Sequence, residues 1–173
     1  MADFDRDTGR ESGAGLARLH DLSGYKVAEG DPDIRSWHVK TADGRKVGKV
    51  HDLIVDTRAM KVRYMDVELD RGELGLDADR HVLIPIGGAR LDDEHDDVRL
   101  STIGATELMT APAYDHGALT PDTEDRIRST FGGGAFSGRR DSFYEHDLYN
   151  ENSFWGSRRT GRGESTYIIY HRG

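Results

Sequence analysis

Short apolar runs separated by Gly- and Asp-rich turns fill the middle of the chain, from Asp31 to Leu100. Several short strands at this spacing are typical of a small antiparallel sandwich or barrel. The predicted strands are "SWHV", "KVGKVHDLIVD", "MKVRYMDVEL", "RHVLIPI" and "DVRL". The side chains expected to fill the interior are Trp37, Val39, Val50, Leu53, Ile54, Val55, Tyr64, Val67, Leu69, Val82, Ile84 and Leu100.

The segment "TADGRKVGKVHDLIVDT", residues 41–57, combines two glycines with two lysines and an arginine. Glycine-rich basic loops bind phosphate when a helix follows them, but "VHDLIVD" has the composition of a strand. Asp43–Gly44 therefore predicts a hairpin turn, because Gly accepts positive φ. Val47 and Val50 are three residues apart and can share a strand face only if a bulge lies at Gly48. We interpret both glycines as structural.

Two helical segments are predicted after the strands, "IGATELM" and "TPDTEDRIRSTF". In the second, Thr120 is the expected N-cap, Pro121 takes the first helical position, and acidic residues in the first turn favour the helix dipole. The glycines at 132–134 are expected to end this helix. The expected fold class is mainly β: a small antiparallel β-barrel with short C-terminal helices and extended, low-complexity N- and C-terminal arms.

Composition divides the chain into three parts. Hydrophobic residues make up 35% of the chain, below the roughly 45–50% that is usual when Gly is also counted, which indicates a modest core with polar ends. We assign residues 1–24 to an N-terminal arm and residues 25–134 to a barrel domain with a short C-terminal helix. Residues 135–173 form a tail rich in aromatic residues, Gly and Arg.

The tail carries eight of the 14 aromatic residues of the chain. Solvated tails are poor in aromatic residues, whereas Tyr and Trp are favoured at interface hot spots, so we expect this tail to bind a partner. The predicted partner-binding residues are Phe136, Phe143, Tyr144, Tyr149, Phe154, Trp155, Tyr167, Tyr170, Arg139, Arg140, Arg158 and Arg159. The alternative is that the tail docks on its own barrel, and "STYIIY" could add as an edge strand to a sheet of this chain or of another protein.

Charge and cysteine content narrow the possible functions. A formal net charge of −8 and a pI near 5.4 disfavour nucleic acid as a partner, because the average surface repels its phosphates. The tail arginines make the tail locally basic and are compatible with peripheral contact to acidic lipids. No apolar run approaches the ~20 residues of a membrane helix, and the N-terminus lacks signal-peptide features. We therefore expect a cytoplasmic protein, and the absence of Cys excludes disulfides and thiolate chemistry.

Candidate chemistry is sparse. The cluster "DDEHDD", residues 92–97, could hold a hard or borderline cation, but neighbouring side chains at a hairpin tip diverge, which favours a solvated turn. His51 and Asp52 are adjacent on a strand and face opposite sides, which disfavours a catalytic pair. The chain has no G-x-S-x-G elbow, and "GGGAFSG" is not a dinucleotide fingerprint. We expect no catalytic residues, cofactor, metal or small-molecule substrate.

Four stretches resemble the PRC-barrel family, which is named after the cytoplasmic domain of the H subunit of purple bacterial photosynthetic reaction centres. They are "AEGDPDIRSWHVKTADGRKVGKVHDLIVDT", "VRYMDVELD", "HVLIPIGGARLD" and "LTPDTEDRIRSTFGGG". The first carries Asp31-Pro32-Asp33, Asp43-Gly44, Gly48 and the run from Asp52 to Asp56 in an H-subunit-like order. Unlike the H subunit, this chain has no predicted membrane helix, and its aromatic tail looks closer to soluble bacterial PRC-barrel proteins.

This resemblance implies a non-enzymatic structural or assembly subunit on the cytoplasmic face of the inner or photosynthetic membrane. The implied partners are reaction centre and antenna subunits, including an H-type subunit, which the two arms would tie together. The alternative is a free cytoplasmic PRC-barrel adaptor or stress-response protein unrelated to photosynthesis.

Overall fold

The protein is described here by a computed structural model, which covers residues 15–155 and 167–170. Its strands are β1 Leu16–Arg18, β2 Tyr25–Val27, β3 His38–Lys40, β4 Lys46–Asp56, β5 Lys61–Leu69, β6 His81–Pro85, β7 Ala89–Asp92, β8 Asp97–Leu100 and β9 Ile168–Tyr170. Its helices are α1 Arg71–Leu74, α2 Ala105–Thr110, α3 Pro121–Thr130 and α4 Glu151–Trp155. Short 3-10 turns lie at Leu19–Asp21, Ile86–Gly88, Arg140–Glu145 and Asp147–Tyr149.

One curled sheet dominates the fold, with the strand order β6-β5-β4-β3-β8-β7 and β1 paired to the end of β4. The predicted strands are all present, so the mainly β expectation is confirmed. One pair departs from the antiparallel expectation, because β3 and β8 run parallel. The reason is that β6 passes into β7 without reversing direction, so that β8 returns beside β3 in the same sense.

The curl of the sheet follows from a very short connection. β6 and β7 stand at opposite ends of the strand order, yet only the 3-10 turn Ile86–Gly88 separates them along the chain. Three residues span at most about 10 Å, so the two ends of the sheet must approach each other. The sheet is therefore a half-barrel.

The long strand β4 bulges where the sequence predicts it. Its register against β3 shifts by one residue immediately after the Val39–Gly48 pair, which leaves Val47 as the extra residue. Val47 and Val50 are consequently both buried. Gly44 closes the preceding turn with a φ of +88°. These observations confirm that the glycines of this segment shape a turn and a strand.

The interior is a single cluster of apolar side chains drawn from the strands, the helices and the C-terminal segment. Eleven of the twelve predicted interior side chains are buried, and Trp37 is half-buried against the cluster. The helix predictions are also confirmed. The Thr120 hydroxyl accepts a hydrogen bond from the Thr123 N–H at 3.2 Å, and Pro121 opens α3. Among the described residues, no helix has both the length and the apolar character needed to cross a membrane.

The described parts of both predicted arms belong to the fold, which corrects the expectation that they extend from it. β1 lies in the main sheet on β4, and β9 pairs with β2 in a separate two-stranded sheet. Within "STYIIY", Ile168–Tyr170 therefore does form an edge strand, and its partner is in this chain. The physical reason is hydrophobic burial, because the tail aromatics supply apolar area that the half-barrel lacks.

The tail is held to the barrel by backbone contacts as well. Gly87 lies under the backbone of the 3-10 turn Asp147–Tyr149, where an added Cβ would stand 2.1 Å from the Asp147 carbonyl oxygen. The carboxylate of Glu151 accepts a hydrogen bond from the Val62 N–H of β5 at 2.8 Å. The hydroxyl of Tyr167 donates to the Pro32 carbonyl at 2.6 Å.

We expect Gly48→Ala to destabilise the protein, because an added Cβ would lie 2.5 Å from the Glu68 carbonyl oxygen of β5. Separating two central strands is an overpacking strain, and we expect a loss of about 2–3 kcal/mol in the free energy of unfolding. Urea denaturation measures it. Gly72→Ala in α1 is the control, since the nearest atom to its added Cβ is 3.6 Å away. Equal losses in the two variants would contradict the close approach.

We also expect a chain ending at Gly134 to lose cooperative unfolding, because the deletion removes five buried aromatic side chains from the core. Circular dichroism during thermal unfolding checks this. A graded test compares Phe154→Ala, expected to cost about 3–5 kcal/mol, with Tyr170→Ala, expected to cost about 1 kcal/mol or less because Tyr170 is 54% exposed. A truncated chain that melts like the full chain would refute the intramolecular role of the tail.

Candidate functional site

Three histidines from separate parts of the sequence meet around one buried aspartate. His51 lies on β4, Asp66 on β5 and His81 at the start of β6, while His116 lies in the segment after α2. The imidazole rings are in edge contact, with centroids 4.9 Å apart for His51 and His81, 5.7 Å for His51 and His116, and 4.6 Å for His81 and His116. We call these four residues the histidine cluster.

Asp66 holds the cluster together. Its carboxylate is fully buried, with Oδ1 2.8 Å from Nδ1 of His81 and Oδ2 3.1 Å from Nε2 of His116. The described residues place only imidazole nitrogens within ion-pair distance of this carboxylate. A buried carboxylate is costly unless a positive charge or hydrogen-bond donors compensate it, so this site favours imidazole donors or a bound cation.

A second bulge in β4 exposes His51. The register of β4 on β5 shifts between Val50 and Asp52, so His51 has no partner residue on β5 and its side chain is exposed. If the residues of β4 and β5 are paired one by one from Asp56–Lys61, without the register shifts, His51 falls opposite Asp66. That count was available from the sequence, and it could have found half of the cluster.

The segment after α2 brings His116 to the edge of the sheet. Ala113 forms an isolated bridge with Val82, and the Tyr114 N–H donates to the His81 carbonyl at 2.8 Å. His116 then adopts a left-handed backbone conformation with φ of +70°. The Tyr114 ring lies over the His116 ring, with centroids 4.9 Å apart. No local sequence signal predicts this placement.

The field around the cluster is negative. Asp52, the Cα partner of Asp66, is also buried, and its Oδ1 accepts hydrogen bonds from the N–H groups of Leu53 and His20. Burial, followed by the charge of Asp66, raises the pKa of Tyr114 to about 12. The Tyr114 phenol is therefore a neutral wall of the site at physiological pH.

The histidine cluster borders a shallow cleft of about 180 Å³. Tyr114 and His116 line this cleft together with β1 and the segment that leads to Leu119. Within the part of the chain that the structure describes, one group of three residues converges closely enough to hold a metal ion, namely His51, Asp66 and His116.

The cluster "DDEHDD" does not converge in this way. It forms the turn between β7 and β8, where Nδ1 of His95 contacts Asp92 at 3.0 Å and Asp97 forms an ion pair with Lys40 at 2.8 Å. The preferred interpretation as a solvated turn agrees with this geometry. His51 and Asp52 face apart as predicted, one exposed and the other buried.

Five of the twelve predicted partner-binding side chains lie inside the protein. Phe143, Tyr149, Phe154, Trp155 and Tyr167 are buried, Phe136 and Tyr144 are half-buried, and Tyr170 is exposed. For the buried side chains, the alternative that the tail docks on its own barrel describes the structure. Arg139 is exposed. Arg140 is half-buried in an ion pair with Asp125 at 2.8 Å, and Arg158 and Arg159 lie outside the described residues. Binding of a partner by this set stays a prediction.

The buried aromatics surround a carboxylate on α3. Oε1 of Glu124 accepts hydrogen bonds from the hydroxyls of Tyr64 at 2.8 Å and Tyr144 at 2.5 Å. The Tyr149 hydroxyl lies 3.0 Å from that of Tyr64, and Arg140 approaches Oε2 of Glu124 at 3.5 Å. Through these hydrogen bonds the network fixes the position of the tail against α3 and β5.

Burial governs protonation in this network. It raises the pKa of Glu124 above the ordinary value, while the hydrogen bonds from Tyr144 and Tyr64 and the charge of Arg140 act in the opposite direction. Burial also raises the pKa of the three tyrosines well above the ordinary range. Their hydroxyls therefore remain donors at neutral pH.

The curled half-barrel sheet and its short helices place this protein in the class of small β-barrel domains. Residues 26–105 match the family model of the PRC-barrel domain. Residues 26–105 of the chain therefore form a PRC-barrel domain. The match identifies the domain and does not single out the reaction-centre H subunit within the family.

We expect the stability of Glu124→Gln relative to the unchanged protein to improve as pH rises from 4 to 7. A raised pKa means that the folded state holds the proton more tightly, so ionisation costs stability between the ordinary value of 4.5 and the raised one. Glutamine cannot ionise, and its carbonyl oxygen can still accept from both tyrosines.

Urea denaturation across this pH range measures the difference. Glu68→Gln on β5 is the matched control, because the Glu68 side chain is exposed and water solvates its charge. The free energy of unfolding of Glu124→Gln, relative to the unchanged protein, could instead stay constant or fall as pH rises. In that case burial does not control the pKa of Glu124.

Proposed function

We propose that this protein is a non-enzymatic assembly subunit that docks on the cytoplasmic face of a photosynthetic reaction centre–light-harvesting complex. The observation that carries the proposal is the PRC-barrel match over residues 26–105. The motif order from Asp31 to Asp56 supports the reaction-centre branch by resemblance to the H subunit. The proposal assigns no catalytic residue and no cofactor.

Tail packing limits how such a subunit could bind. Among the described residues, Met109 and Tyr170 are the large hydrophobic side chains that are exposed. Obligate interfaces are large and apolar, so docking would use a few anchors and charged groups instead. The Tyr170 ring stands against Tyr25 at 5.0 Å on the β2–β9 ribbon, which supports its use as an anchor. Arg139, Arg158 and Arg159 would supply charge to acidic lipid or protein groups.

Fractionation of the native cell tests this proposal. We expect the tagged full-length protein to sediment with gently washed membranes and to co-purify with pigment absorbance and with reaction centre and antenna subunits identified by mass spectrometry. The triple variant Tyr170→Ala, Arg158→Glu, Arg159→Glu should lose most of this recovery. Truncation is unsuitable here, because it removes part of the core.

The matched control is Met109→Ala, Arg71→Glu, Arg126→Glu, which changes one exposed apolar side chain and two exposed arginines elsewhere. We expect it to co-purify like the unchanged protein. Recovery of the protein in the soluble fraction without pigment or antenna subunits would overturn the proposal and favour a free PRC-barrel adaptor. Equal losses in both triple variants would overturn the assignment of the anchors.

A further inference from the structure

We propose that His51, Asp66 and His116 form a binding site for one borderline divalent cation of the zinc, cobalt or nickel class. The candidate donor atoms of these three residues lie within 4.8 Å of one another. They come from the neighbouring strands β4 and β5 and from the segment after α2, so these residues come together only when the chain is folded. The inference is independent of the reaction-centre proposal.

The donor set selects this class of ion. Two imidazoles with one carboxylate suit Zn²⁺, Co²⁺ and Ni²⁺, whereas Ca²⁺ and Mg²⁺ prefer oxygen ligands throughout. Three protein ligands leave at least one coordination position open to water. Because Cys is absent from the chain, competition from thiolate sites does not arise.

The buried negative charge makes the histidine cluster more stable with a bound cation than without one. Asp66 is fully buried, and its ion-pair partners among the described residues are the imidazoles of His81 and His116. A neutral imidazole supplies a hydrogen bond and no charge. Asp52 adds a second buried carboxylate at the paired position on β4. A divalent ion would offset the negative charge of Asp66 in a part of the protein that water cannot fully solvate.

The geometry needs only a small closure. In a tetrahedral site, ligand atoms about 2.1 Å from the ion are separated by about 3.4 Å, so a pair at the 4.8 Å limit must approach by about 1.4 Å. His51 is exposed on its bulge and can supply this shift by rotating its side chain. Asp66 and His116 are already held together at 3.1 Å.

His81 is a positioning residue for this site. Its Nδ1 contacts Oδ1 of Asp66 at 2.8 Å and thereby fixes the plane of the carboxylate that presents Oδ2 to His116. Such outer contacts commonly change metal affinity by about 10–100-fold. We expect His81→Gln to keep a stoichiometry of one ion while weakening its affinity and altering the cobalt spectrum.

Calorimetric titration of the tag-free full chain with ZnCl₂, and the visible absorbance of the Co²⁺ form, test the site. We expect one ion per chain and an affinity at least about tenfold weaker in His51→Gln and in His116→Gln, since losing a ligand costs no less than losing an outer contact. His51 is exposed, so its variant should fold normally, and circular dichroism with a urea midpoint verifies this.

The matched control is His95→Gln, which removes an exposed histidine that contacts a carboxylate in "DDEHDD". We expect it to bind zinc like the unchanged protein. Absence of binding heat at about 0.1 mM zinc, unchanged affinity in both His51→Gln and His116→Gln, or loss of binding in His95→Gln would each overturn the proposed site.

Discussion

The short link Ile86–Gly88 ties together strands from opposite ends of the sheet, and much of the fold follows from that constraint. The sheet has to curl, and a curled open sheet has an apolar side that its own strands do not cover. α3, α4 and the intervening 3-10 turns provide that cover, and they bring the tail aromatics with them. Gly87 permits the close contact at the link itself. The tail is thus part of the barrel in energetic terms, although it lies beyond the family match.

The strands and the Gly48 bulge could be predicted from the sequence because each is encoded locally. Alternation of Val, Ile and Leu sets the strand faces, and two valines at the wrong spacing reveal the extra residue. The tail could not be placed in the same way. Its aromatic content predicts burial, but composition does not say whether the burying surface is Glu124 and Tyr64 of the same chain or a partner. Pairing of β3 with β8 is equally non-local.

The histidine cluster shows a similar division. An uninterrupted count from the turn between β4 and β5 sets His51 opposite Asp66 and could have joined those two residues, although the bulge pairs Asp66 with Asp52 in the structure. His116 depends on a left-handed backbone conformation and on one bridge to Val82, neither of which leaves a pattern in the sequence. The charges of the acidic turn at 92–97 are adjacent in sequence, whereas the histidine cluster brings together residues far apart along the chain. Convergence of ligands is a tertiary property.

The ribbon formed by β2 and β9 joins the two extremes of the described chain, and this sets an order of events in folding. Pairing partners so distant in sequence meet late, because closing the longest loop carries the largest entropic cost. The main sheet, built mostly from neighbouring strands, can assemble before them. Once formed, the ribbon has only two strands, and its local opening would release Tyr167 from its stack on Trp155. Opening at this seam would expose both aromatic side chains while the strands of the main sheet remain paired.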